Sequence, residues 1–165
     1  MIERPTIGKH YHYKPENSVT KPINRGRFVL DKTREFYHFD AVPFGKPRMT
    51  QSDKWRTNPN HKDPNKRQRK PVTEYFRYKD SLLWQAKSIG YEMGDYIDVV
   101  FFIPFPESYS KKKKEELNGM PHLLKPDTDN LVKALKDIFK GEDSVVWLDH
   151  AEKRWAFKGS IIIYI

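Results

Sequence analysis

The sequence predicts an α+β domain, a small mixed sheet packed with helices in a single domain. Apolar residues at helical spacing alternate along the chain with short runs of β-branched and aromatic residues. Aromatic residues make up 14% of the 165 residues, enough to fill one core at the length of one ordinary domain. There is no internal repeat, and no apolar run approaches the roughly 18 residues that a membrane span needs.

The elements follow in order. Residues 1–35 are polar, with scattered Pro and Gly, and read as an irregular N-terminal extension to a domain over 36–165. Phe36 to Val42 alternates as a first strand. Residues 44–72 hold nine Lys or Arg against Asp53 and Asp63, with four prolines that forbid a long helix, and read as an extended basic loop. Thr73 to Ile89 carries Tyr75, Phe76, Leu82, Leu83, Ala86 and Ile89 at helical spacing, with Gly90 at its end. Tyr96 to Ile103 is a strand stopped by Pro104, and Ser110 caps a short helix closed by Gly119. Pro121 to Pro126 is extended. A helix over 128–140 follows, with Asp127 at its cap and Gly141 beyond it. Ser144 to Leu148 reads as a strand, and Glu152 to Phe157 with Ser160 to Ile165 as a last strand or hairpin turning near Lys158-Gly159.

The net charge of +9 points to a polyanionic partner, of which nucleic acid is the commonest. Mean hydropathy is −0.85, so part of the chain is expected to be poorly packed or to wrap a partner. With no cysteine, disulfides and thiolate metal sites are excluded. Met1 to Pro5 lacks the apolar core of a signal peptide, and the expected location is cytoplasmic, with no membrane partner.

The chemistry concentrates at Asp127. On a helix starting there, Leu131, Leu135, Ile138 and Phe139 form an apolar stripe. Asp129, Lys133 and Asp137 form another, acid-base-acid, spaced four apart. Carboxylates at a helix N-terminus are kept ionised by the dipole, and such hard oxygen ligands suit Mg²⁺ completed by water and substrate phosphate. Lys133 is placed to donate to a phosphate oxygen. Spacing alone equally allows Asp127 as a cap, Asp129 as a dipole partner and Lys133 as its i,i+4 ion pair. Among the basic loop's charges, Lys46, Arg48, Lys54, Arg56, Lys66, Arg67, Arg69 and Lys70 are candidate phosphate contacts. Trp55 lies among them, where an indole either packs into the fold or stacks on an opened base. Lys111 to Lys114 are a second cluster, balanced by Glu115 and Glu116.

Lys125-Pro126-Asp127-Thr128-Asp129-Asn130-Leu131-Val132-Lys133-Ala134-Leu135-Lys136-Asp137 resembles the signature of the RusA family of Holliday-junction resolvases, small and largely phage- or prophage-borne enzymes. Phe44-Gly45-Lys46-Pro47-Arg48 resembles the family's basic segment after its first strand. Val145 to Glu152 sits where the family has a strand leading into paired acids and a glutamine. The resemblance implies a RusA-like fold and a homodimer that binds four-way DNA junctions, nicking them with Mg²⁺, for which Mn²⁺ can substitute. It implies that Asp127 and Asp129 bind metal, that Lys133 takes part in catalysis, and that a third acid comes from the strand.

There this sequence departs. The paired acids appear as Asp149-His150 and the glutamine as Glu152, with His150 at the family's catalytic position. Asp149 taking over as ligand, His150 binding metal through imidazole, Glu152 reaching in, or a weakened site all remain open. The catalytic candidates are therefore Asp127, Asp129, Lys133, Asp149 and His150, with Asp127, Asp129 and Asp149 as metal ligands. Two other functions stay in view: a catalytically weakened branched-DNA-binding protein of the same fold, and a single-stranded nucleic-acid or RNA-binding module whose aspartates are caps.

Overall fold

The computed structural model describes residues 25–141 and 146–165. It is a mixed four-stranded sheet with three helices, an α+β fold of one domain. The elements are β1 (Phe36–Phe39), α1 (Lys70–Ile89), β2 (Tyr96–Pro104), α2 (Lys111–Leu117), α3 (Thr128–Phe139), β3 (Leu148–Ala156) and β4 (Ser160–Tyr164). Among the described residues no helix is long and apolar enough to cross a membrane.

The sheet order is β1-β4-β2-β3. β2 is apolar on both faces, with Val99, Val100 and Phe101 all buried, and therefore takes a central position. It pairs antiparallel with β4 and parallel with β3, Tyr96 opposite Leu148 through to Pro104 opposite Ala156. A parallel pair needs a long crossover, which α2 and α3 supply. One face carries Ile97, Val99, Phe101, Ile161 and Ile163 and packs against Tyr75, Leu82 and Ala86 of α1 and Leu131, Leu135 and Ile138 of α3. On the other, Val100, Ile162 and Tyr164 are covered by Phe28 and Leu30.

The expected terminal hairpin is overturned. β3 and β4 do not pair, because β2 lies between them. The link 157–159 passes over the end of β2, where the chain turns away after Pro104. Gly159 allows this crossing: a Cβ there would stand 2.7 Å from Val42 Cγ2 and 2.8 Å from Val42 Cα. The strand expected over 144–148 also differs. Ser144 and Val145 lie outside the described residues, Val146 and Trp147 are irregular, and Leu148 opens β3, which runs unbroken to Ala156. The separate strand expected from Glu152 is thus the second half of β3.

α1 begins three residues earlier than expected, at Lys70. Pro71 falls in its first turn, where a missing N–H breaks no helical bond. Its apolar stripe is offset as well: Val72 and Tyr78 are buried, while Phe76, Leu83 and Ile89 stay exposed.

Of the N-terminal stretch, residues 1–24 lie outside the described residues. Residues 25–35 have no helix or strand but dock closely. Arg27 donates to the carbonyls of Glu115, Glu116 and Asn118 at the end of α2, where a cation complements the helix dipole. Phe28 N–H bonds Gly119 O at 2.8 Å, and Arg34 pairs with Asp98 on β2 at 2.6 Å.

Candidate functional site

α3 positions the two leading carboxylates. Asp127 occupies the N-cap with extended backbone (φ −71°, ψ 143°), yet its side chain makes no capping hydrogen bond. Its carboxylate and that of Asp129, one residue into the helix, are both in exposed residues at the positive end of the helix dipole. The stripe through Leu131 and Leu135 is fully buried and fixes the rotation of the helix. Asp129 and Lys133 then line a cleft of about 420 Å³ with Thr128, Val132, Lys136, Asp149 and Ala151.

The start of α3 is tied to the edge of β3. Gly119 N–H bonds Trp155 O, Trp155 N–H bonds Met120 O, and His122 N–H bonds Lys153 O, so residues 119–122 run along that edge. The Lys125–Pro126 peptide is cis. Lys153 Nζ then donates to Leu124 O at 2.7 Å and Pro126 O at 2.6 Å, holding the lead-in to the helix. Burial lowers the ammonium's pKa, and the negative charges of Asp127 and Asp129 oppose that shift. Lys153 is therefore an internal cation beside both carboxylates. Sequence reasoning missed it, although the two-residue strand period places Asp149 and Lys153 on one face.

That same period separates Asp149 from His150. Asp149 faces the cleft and accepts a hydrogen bond from Lys136 Nζ at 2.6 Å. His150 faces the opposite side of the sheet, where its Nδ1 lies 2.8 Å from Asp98 Oδ1. Burial raises the pKa of Asp98, but hydrogen bonds from His150 and Arg34 outweigh it and leave the net shift downward. Glu152 also lies away from α3, accepting from Arg154 at 2.6 Å. The structure thus brings Asp127, Asp129, Lys133 and Asp149 to one side of the sheet and His150 and Glu152 to the other.

Among the described residues no three His, Asp or Glu side chains stand close enough to hold a metal ion. The donors do fit a more open site. Mg²⁺ commonly takes one or two carboxylates and fills its other positions with water and substrate phosphate. Asp127 and Asp129 are the two carboxylates at the start of α3 that would supply that pair. Asp149 borders the same cleft but is engaged by Lys136.

The basic loop is a built structure. Phe44 packs on the core, and Gly45 passes so close to Asn130 that any side chain there would collide with its carboxamide. Lys46 pairs with Asp137 of α3 at 2.7 Å, so the third member of the acidic stripe anchors the loop. Two short 3-10 turns, Gln51–Lys54 and Pro64–Lys66, interrupt the extended path expected here. Arg69 donates to buried Asp53 (Nε to Oδ1, 2.9 Å) and to Arg48 O at 2.8 Å, and Arg67 donates to His61 O at 2.6 Å. Lys46, Arg67 and Arg69 therefore have internal partners, while Arg48, Lys54, Lys66 and Lys70 are exposed and Arg56 is half-buried. In the second cluster, Lys113 lies over the Tyr109 ring and Lys111 pairs loosely with Glu115, as on a solvated helix.

The hydrogen bond from Arg69, joined by those from Thr50, holds the Asp53 carboxyl far below the usual carboxylate range. With its folded pKa depressed, Asp53 contributes stability that is complete above its unfolded value near about 4 and is lost as pH falls through the folded value. Asp53→Asn is expected to lower Tm by a few degrees at neutral pH and to shrink the fall of Tm between about pH 4 and pH 2. Parallel Tm curves for variant and wild type across that window would contradict the assignment.

Residues 41–165 match the family model described as Endodeoxyribonuclease RusA. No curated protein and no solved structure matched the chain. With most of its length inside that match, the chain belongs to the RusA family of endodeoxyribonucleases.

Proposed function

We propose that the protein is a Mg²⁺-dependent, structure-specific endodeoxyribonuclease that resolves four-way DNA junctions, with Mn²⁺ able to replace Mg²⁺. The observation that carries this reading is the cleft of Asp129, Lys133, Lys136 and Asp149, flanked by Asp127 and Lys153 and lying on the helix to which the basic loop is anchored. The family is one of DNA-cutting hydrolases. An ion held there would supply charge neutralisation at the scissile phosphate and an activated water.

The chain's own residues divide the remaining work. Asp127 and Asp129 hold the ion. Lys133, one turn beyond Asp129, donates to a phosphate oxygen and stabilises charge as it develops. Asp149, which borders the same cleft and accepts from Lys136, is the further carboxylate that would be available to the ion. Arg48, Lys54, Arg56, Lys66 and Lys70 contact flanking phosphates and fix register without reading sequence. A homodimer suits a junction, which offers two symmetric strands to cut. A cytoplasmic setting, in a bacterial cell or from a phage genome, is where such branched DNA arises.

The test is a synthetic four-way junction, end-labelled on each strand, with its arms also prepared as linear duplexes. Symmetric nicks are expected near the branch with Mg²⁺ or Mn²⁺ and none with EDTA. Equal cutting of the linear duplexes removes the claim of structure specificity, and cutting in EDTA removes the metal.

A further inference from the structure

We propose that the basic loop contains a nucleobase-stacking site, built on Trp55, that takes a base unstacked at the branch point of the DNA. This rests on the reading above that branched DNA is the substrate. A cleft of about 470 Å³ lies in the loop, lined by Trp55, Arg56, Asn58, His61, Asn65 and Lys66 among others. It is separate from the carboxylate cleft and shares no residue with it.

Trp55 is 85% exposed and does not pack into the core as an indole usually does. Keeping so large an apolar ring in water is unfavourable, and none of the described residues buries it. Its backbone, by contrast, is fixed. Trp55 N–H bonds Ser52 O at 3.2 Å at the end of the first 3-10 turn, and buried Asp53 in that turn is clamped by Arg69 and Thr50. The far wall is fixed too. Gln68 N–H bonds Asn58 O, and Asp63 N–H donates to His61 Nδ1 at 3.0 Å. With Nδ1 accepting that bond, a neutral His61 carries its proton on Nε2.

The chemistry of the lining selects the ligand. An aromatic face stacks on any base, because every base has a π-face. The carboxamides of Asn58 and Asn65 offer both donors and acceptors to a base edge. Arg56 and Lys66 supply positive charge for the adjoining phosphates. A linear duplex keeps every base stacked between neighbours, whereas opening a four-way junction at its branch point unstacks the base pairs that flank it. The site therefore favours branched over linear DNA.

The experiment measures binding without cleavage, in Ca²⁺, by fluorescence anisotropy. The probes are an immobile four-way junction and a linear duplex of the same arm sequence. Trp55→Ala is expected to weaken junction binding about fivefold to a hundredfold. Trp55→Phe should recover most of that loss, and duplex binding should move less than twofold for either variant. A second junction carries 2-aminopurine at the branch, and its emission should be quenched on binding wild type but not Trp55→Ala. Circular dichroism melts confirm that both variants fold. If wild type does not prefer the junction to the duplex, the functional reading fails. If it does prefer it and Trp55→Ala binds the junction equally well, or loses junction and duplex binding alike, the stacking site is overturned.

Discussion

Asp129→Asn is expected to lower four-way-junction nicking in Mg²⁺ by about a hundredfold or more while leaving junction binding within a few-fold of wild type. The substitution keeps the shape of the side chain and removes its charge. The Asp129 carboxylate is exposed at the dipole-positive end of α3 and borders the cleft with Lys133 and Asp149. A lost anionic ligand forfeits several kcal/mol of transition-state stabilisation, and each 1.36 kcal/mol is a factor of ten. Binding depends instead on the exposed cations of the loop, which the change does not touch. Single-turnover nicking and anisotropy on the same junction separate the two. A variant that cuts within threefold of wild type would remove Asp129 from the metal site and restore the plain dipole-partner reading.

Leu135→Ala is expected to have the largest effect on stability. Leu135 is fully buried between α3 and the sheet, one turn beyond Leu131 on the same stripe. Truncating a buried leucine costs about 2–5 kcal/mol, because the lost transfer energy is compounded by the cavity left behind. Against a total of about 5–15 kcal/mol this is a large share. At this chain length it corresponds to a fall in Tm of roughly 5–15 °C. Lys140→Ala at the exposed end of the same helix serves as the control and should shift Tm by little more than a degree. Equal melting of the two variants would show that α3 is not held by this stripe.

Much of the fold was legible because local signals and tertiary packing agree. Gly90 closes α1, Ser110 caps α2 by accepting from Lys113 N–H, and the stripe of α3 is buried as its periodicity predicts. What could not be read was pairing. β3 and β4 are consecutive strands joined by a short link, and nothing local to Phe157, Lys158 and Gly159 reveals that β2 lies between them. The site divides in the same way. Asp127, Asp129 and Lys133 share one helix, so their spacing displays their relation. Lys136 and Asp149, or Lys153 and Pro126, meet only after the sheet has formed. The loop ion pairs were hidden for the same reason. Lys46 and Arg69 look like any other surface cation until Asp137 and Asp53 are placed beside them.

The parallel pairing of β2 with β3 also orders events in time. His150 meets Asp98 across 52 residues, and the whole helical crossover must be spanned before that ladder closes. Such long closures are late in folding, since their entropy is lost before the contacts can compensate. A growing chain that has emerged only as far as α3 already carries Asp127 and Asp129. It lacks Asp149 and Lys153, and it has no sheet edge to hold the helix start. On the assignment proposed above, the two halves of the site therefore come together only once β3 has paired with β2, and a chain stopped before β3 would hold only the helical half.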